Sequence, residues 1–298
     1  DPLWSRGLGD VYKRQTLQCT VDAEGKVHQP LNPDRITSWE ACGVTDDFVW
    51  TNEDLKTFQG VYQGNHHVIS GALFCGSSAG LLSSLEGEVV NLRMEHCASI
   101  AKTLCQAIVV GESSGTVSNC SVSDSIVVSA DTNAYTGAIV GLAKLNSVIS
   151  YNTSENNRIM NDGNAAGGIV GQSDVSVRDC LVNGGDVSGE ESTGGIVGTV
   201  TNSAEGICIH GCQSSANISG KYHIGGICGY YVQYTFIEPS GPLTISECTN
   251  RGNLTERAVS DYGLKQYLGG IMGDAQGAVT ITKCHNSGDV LSDQETCN

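Results

Sequence analysis

Thirteen cysteines are the first residues in this chain that could do chemistry, and their spacing decides which chemistry. Five of them, Cys120, Cys180, Cys212, Cys248 and Cys284, fall at one position of a recurring pattern. Stacked at the ~4.8 Å spacing of neighbouring strands, their Cα atoms would come within disulfide range, but their Cβ vectors would run parallel and not toward each other. They read as a structural column of small core residues. Cys228 stands where other copies carry Val or Met and reads as core too. Cys19, Cys42, Cys75, Cys97, Cys105, Cys208 and Cys297 lie outside the column, and a Cys19–Cys42 bridge fits an exported protein. A zinc site needs paired ligands at short spacing. The segment Cys208-Ile209-His210-Gly211-Cys212 is the candidate, but Cys212 belongs to the column and no second pair is aimed at it. His66-His67 sits in a turn signal and reads as solvated. No metal and no other cofactor is expected.

Carboxylates are the next candidates, since hydrolysis or elimination on a sugar chain needs an acid and a base facing one groove. Asp186 and Asp289 share a position of the pattern but stand three repeats apart, about 14 Å at strand spacing, against the ~5–9.5 Å of working pairs. Asn217 and Asn253 fill that position between them, which makes an Asx turn ladder. Asp179 and Glu247 share another position, with Gly211 between and Lys283 beyond. Glu190-Glu191 are neighbours on a turn. No catalytic residue is assigned, and the chain is expected not to be an enzyme. Aromatic residues give a stronger signal. Of fifteen outside the first fifteen residues, seven lie between Tyr222 and Tyr267. Tyr222, Tyr230, Tyr231, Tyr234, Phe236, Tyr262 and Tyr267 are therefore the expected ligand-binding residues, because a tyrosine offers a flat apolar face and a hydroxyl.

The elements that carry these residues follow from glycine. A glycine-bracketed apolar segment recurs at Ala107–Gly111, Gly137–Gly141, Gly167–Gly171, Gly194–Gly198, Gly225–Gly229 and Gly269–Gly273, with steps of 30, 30, 27, 31 and 44 residues. A period of this size marks stacked units too small to bury their own apolar faces. The longest step holds two insertions, 230–242 and 256–268, and insertions in repeat proteins map to loops on one face. Within a repeat, Val117, Val148, Val177, Ile209, Ile245 and Ile281 form a second apolar position. Three residues on stand Cys120, Tyr151, Cys180, Cys212, Cys248 and Cys284. A third strand opens at Val187, Ile218, Leu254 and Val290. Leucine-rich frameworks and four-stranded propeller blades are absent, and parallel crossovers are right-handed. The expected fold is all-β: a right-handed parallel β-helix, or β-solenoid, of about seven coils of three short strands with an N-terminal cap.

Removing Arg6, Lys13, Arg14, Asp1 and Asp10 leaves 13 basic and 30 acidic residues, a net charge of −17. So acidic a chain repels phosphates, and nucleic acid is excluded as a partner. No stretch approaches the ~18 uninterrupted apolar residues of a membrane span. Those five residues belong to 1–15, which resembles a translated sequencing adaptor and is expected not to be native. The region that would hold a signal peptide is then missing.

The chain resembles the GLUG-motif repeat family of secreted and surface bacterial proteins. The resemblance rests on the Gly-Gly-Ile-x-Gly segments, the steps Asn119-Cys120 and Asp179-Cys180, and the turns Asn250, Gly252, Leu254 and Asn286, Gly288, Val290. It extends upstream through Phe58–Asn65 and Ile69-Ser70-Gly71. Ala79-Gly80-Leu81-Leu82 and Val89-Val90-Asn91-Leu92 form a degenerate coil with Leu92 in the cysteine position. The domains are then 1–15 adaptor, 16–57 cap or end of a preceding domain, and 58–298 repeats, with truncation at the C-terminus left open. The resemblance implies an extracellular or cell-surface location and a non-catalytic adhesion or binding stalk, its partner a glycan or a host or neighbour-cell surface protein. The alternatives are a carbohydrate-active enzyme (polysaccharide lyase or glycosidase), since such enzymes use similar scaffolds, or a structural spacer in a larger surface protein.

Overall fold

The computed structural model describes residues 20–21, 27–28, 57–65, 67–76, 79–101, 103–129, 131–201, 206–233, 241–257 and 265–292. Among the described residues, apart from the antiparallel pair Thr20–Val21 and Val27–His28, every strand belongs to one of five parallel sheets, of six, seven, eight, eight and eight strands. The chain visits these sheets in turn and returns one rung higher, which is a parallel β-helix. One coil shows the circuit. Ala165–Gly167 lies in wall one, Val170–Ser173 in wall two, Val177–Arg178 in wall three, Leu181–Asn183 in wall four and Asp186–Gly189 in wall five.

A coil thus has five strands, not the expected three. The glycine bracket is not one strand but two, split by a corner. In the bracket Gly137, Gly167, Gly194, Gly225 and Gly269 pair in register up wall one. A Cβ added at Gly194 would sit 1.9 Å from the Val197 carbonyl oxygen, so wall one folds onto wall two there with room only for hydrogen. The isoleucines of that corner hydrogen-bond rung to rung, Ile169 N–H to Ile196 C=O at 3.0 Å and Ile196 N–H to Ile227 C=O at 3.0 Å. All three side chains are fully buried.

The fourth wall also escapes the sequence pattern, because two-to-three-residue strands are too short to display alternation. The corner before it is turned by left-handed residues, one per coil: Asn91, Asn119, Tyr151, Asp179, Gly211, Glu247 and Lys283, at φ between 52° and 67°. Asn and Asp tolerate this conformation better than most residues. Their side chains face solvent and meet one another, as Asn119 Nδ2 donates to Asn91 Oδ1 at 2.5 Å and Lys283 Nζ pairs with Glu247 at 3.0 Å.

Directly after them comes the column predicted from the cysteines. Registers on both flanks align Leu92, Cys120, Asn152, Cys180, Cys212, Cys248 and Cys284. One position needs correction. Tyr151 is exposed, and Asn152 holds the slot. Likewise Ile149 is the buried second-strand residue, and Val148 points to solvent. Between the pairs Ser113–Ala143 and Thr116–Val148 the coil gains two residues, in the turn closed by Ser147 N–H to Lys144 C=O with Asn146 left-handed, where the expected pairing of Val117 with Val148 allowed for one.

Asn152 does in one coil what thiols do in the others. The thiols of Cys120, Cys212, Cys248 and Cys284 point at the carbonyls of Val89, Val177, Ile209 and Ile245 one coil back, at 3.5–3.7 Å. Asn152 Nδ2 donates to the equivalent Val117 carbonyl at 2.9 Å, and Asn152 Oδ1 accepts from Cys120 N–H at 3.0 Å. Removing a buried partner leaves both groups unmet, at about 1–3 kcal/mol. Asn152→Ala should therefore lower unfolding free energy by about 2 kcal/mol in urea melts followed by circular dichroism. Asn152→Cys should recover much of that loss, and equal losses in the two variants would contradict the shared role.

Candidate functional site

The cysteines whose side chains are described do not form a reactive site. All nine whose side chains are described carry free thiols. Burial pushes the Cys97 and Cys120 thiols up to about 11, and those of Cys105 and Cys228 up to about 12. The Cys180 thiol, by its hydrogen bond, is the main cause raising Cys212, and Cys212 does the same to Cys248. A protonated buried thiol is a poor nucleophile and a poor metal ligand. The Cys208–Cys212 segment splits across the wall. Cys212 points into the core, while the His210 ring nitrogen Nδ1 lies 3.0 Å from Ser246 Oγ. Among the described residues no three His, Cys, Asp or Glu side chains converge as metal ligands. The Asx ladder has the expected form, with Asn217 Nδ2 donating to Asp186 Oδ1 at 3.2 Å and Asp289 N–H to Asn253 Oδ1 at 3.0 Å. Cys19, Cys42 and Cys297, the adaptor segment 1–15 and most of the cap at 16–57 lie outside the described residues.

The aromatic cluster divides. Tyr231 is 1% exposed, packs in the main core, and its hydroxyl donates to the Gly241 carbonyl at 2.9 Å. Its place among ligand-binding residues is therefore corrected: it faces inward because its rung neighbours are Val200 and Ala275. Tyr234, Phe236 and Tyr262 lie outside the described residues. Tyr222 is half-buried, and its carbonyl accepts from Tyr267 N–H at 2.6 Å.

Tyr230 and Tyr267 come together around a residue the sequence reading passed over, His223. His223 and Tyr267 are register partners in wall one, and Tyr230 and Asp274 are partners in wall two. The His223 ring lies 4.3 Å from Tyr230 at 16° and 5.4 Å from Tyr267 at 8°, nearly parallel to both. Its Nδ1 is 3.3 Å from Asp274 Oδ2. Tyr267 is 36% exposed, while the His223 and Asp274 side chains are 18% and 24% exposed. Two phenols, an imidazole and a carboxylate thus share one ledge at the corner between walls one and two.

The second insertion supports this ledge. Gln266 Nε2 donates to the carbonyls of Lys221 at 2.8 Å and Arg257 at 3.1 Å, fixing the strand that carries Tyr267. Lys221 in turn pairs with Glu190 one coil down. A signal for His223 and Asp274 existed in the sequence. His223 stands two residues before its glycine bracket, as Tyr267 does, and Asp274 follows its bracket as Tyr230 follows the preceding one. Chemically, the ledge offers flat faces for a ring and acceptors for hydroxyl groups.

No family model and no curated protein matches the chain. A solved structure from Bacteroides ovatus, described as a "putative immunoglobulin A1 protease", is similar at a TM-score of 0.50 and 18% identity, over 76% of this chain and 68% of that one. That similarity shows the fold. It also corrects the expectation that the chain is not an enzyme. A protein bearing a protease's name has this architecture, so a coil array of this kind is no ground for excluding catalysis. No helix among the described residues is long and apolar enough to cross a membrane.

Burial lowers the pKa of His223, and Asp274 opposes that shift only in part. With the folded value below the unfolded ~6.5, the unfolded chain binds more protons, so stability falls as pH drops through that range. Between pH 7.5 and pH 5.5 the melting temperature of the wild type should fall further than that of His223→Gln. An equal or larger fall in the variant would contradict the burial of this imidazole.

Proposed function

We propose that the coil array is a rigid extracellular or cell-surface stalk, of the kind the GLUG-motif resemblance implies, and that its ledge binds carbohydrate. The observation that carries the reading is the parallel stacking of Tyr230, His223 and Tyr267 beside the Asp274 carboxylate. Sugar rings bind through their apolar C–H faces on aromatic planes and through hydroxyls on carboxylates and imidazoles. The backbone beneath the ledge is held by two sheets in register, so little ordering is needed on binding.

The His223–Asp274 pair favours a second reading on the same ledge. An imidazole held beside a carboxylate, with phenol hydroxyls at hand, supplies the acid–base groups that cleavage of a sugar linkage requires. Under this reading bound polysaccharide is cut.

A glycan array probed with the wild type, Tyr230→Ala and Tyr267→Ala tests both. The wild type should bind a defined set of glycans and each variant should lose at least about tenfold in affinity, the worth of one good aromatic contact. Release of oligosaccharide fragments from a bound polysaccharide identifies the enzymatic reading. Wild-type protein that binds no glycan ends the carbohydrate proposal.

A further inference from the structure

The ledge holds a carboxylate without a permanent cation. In four ion pairs among the described residues the carboxylate meets Lys or Arg: Glu95 with Arg93, Glu112 with Lys144, Glu190 with Lys221 and Glu247 with Lys283. Asp274 meets only the imidazole of His223. Their 3.3 Å contact is not aligned as a hydrogen bond, since His223 Nδ1 is buried without a hydrogen-bond partner. Burial also holds the pKa of that imidazole below its ordinary value. At neutral pH the ring is therefore uncharged, and it leaves the charge of Asp274 uncompensated. Asp274 Oδ1 accepts from Ala275 N–H at 2.7 Å. A carboxylate offers about four acceptor sites, so others remain for a ligand.

Cations on the neighbouring turns are engaged or in water. Lys221 holds Glu190, and the Arg257 guanidinium donates to the Gly189 carbonyl. Lys265, two residues before Tyr267, is exposed, where salt screens its charge. The rings beside the carboxylate add to its pull on a cation, because the face of a tyrosine attracts an ammonium group through its quadrupole. Tyr230 and Tyr267 both lie nearly parallel to His223, and Tyr267 is the more open of the two. The formal charge of the whole chain, −16, attracts cations and repels anions as well. We propose, resting on the carbohydrate reading of the ledge, that its ligand is an amino sugar with a free, protonated nitrogen, the ring lying on Tyr267 and the ammonium directed to Asp274. An acetylated nitrogen carries no charge and loses the ion pair. A uronic acid sets a second carboxylate against Asp274 and is rejected.

Titration calorimetry of the full chain at about 0.15 M salt tests the preference with three tetrasaccharides, of glucosamine, of N-acetylglucosamine and of a uronic acid. The glucosamine oligomer should bind at least about tenfold more tightly than its acetylated counterpart, and the uronic acid oligomer should not bind. Asp274→Asn should bring the glucosamine affinity down to that of the acetylated oligomer. Glu112→Gln removes a charge from the same position of wall two five coils lower and should leave the preference intact. A tetralysine peptide, with ammonium groups but no sugar ring, should bind at least about tenfold more weakly than the glucosamine oligomer. Acetylated or acidic sugar bound as tightly as glucosamine, a preference that survives in Asp274→Asn, or tetralysine bound as tightly as the sugar would each overturn the amino-sugar proposal. Failure of all three sugars to bind would overturn it too, and the glycan array then decides the carbohydrate reading separately.

Discussion

Every residue in this column must be compatible with its counterpart one coil away, and that single demand organises the molecule. Parallel strands in register place like positions directly above one another, with backbone hydrogen bonds running along the axis. A side chain that suits one rung is copied on the next because the space it occupies is the same. Gly194 lies between Gly167 and Gly225 for this reason, since each lacks room for a methyl group against the carbonyl three residues on. Apolar stacking then supplies most of the cohesion, about 1.5–3 kcal/mol for each fully buried valine or isoleucine. The buried file Val89, Val117, Ile149, Val177, Ile209 and Ile245 shows the same rule on wall three.

Where a coil departs from the repeated residue, it keeps the repeated interaction. Asn152 reaches the carbonyl that a thiol reaches elsewhere, and adds a hydrogen bond to Cys120. Asn157 does the same at the next corner of that coil, donating to Val122 C=O at 2.8 Å and accepting from Ser125 N–H at 2.8 Å. The exposed side of the column is freer. It holds Asp, Glu, Lys and Gly at one left-handed position, and there the ledge of Tyr230, His223, Tyr267 and Asp274 departs from the Ser192 and Thr199 that occupy its rungs one coil lower. A function is easiest to place where the repeat constrains least.

The glycine bracket and the cysteine column were legible in the sequence because each answers a steric demand that one small residue type meets. The five-walled section was not. Its extra corners are turned by Asn119, Asp179, Glu247 and Lys283, whose types do not announce a left-handed backbone as glycine does. Asn152 and not Tyr151 holds the column because its coil carries two added residues where the expected spacing allowed one, a difference invisible until rungs are paired. The clustering of aromatics pointed to the right region but not to the right side chains. Parity separates them: Tyr230 lies between Thr199 and Asp274, and Tyr231 between Val200 and Ala275. His223 went unnoticed because its partners sit 7, 44 and 51 residues onward, distances that only the coil register makes short.

The sulfur atoms report the register most directly. An anomalous difference map from crystals measured at long wavelength locates each cysteine without reference to any assumed fold. Stacked coils place the sulfurs of Cys180, Cys212, Cys248 and Cys284 in a single file at steps of about 4.8 Å, with Cys120 roughly twice that distance beyond Cys180, across the gap filled by Asn152. Sulfur peaks dispersed through the molecule, or a file broken between any of those four, would contradict the stacking on which the ledge depends.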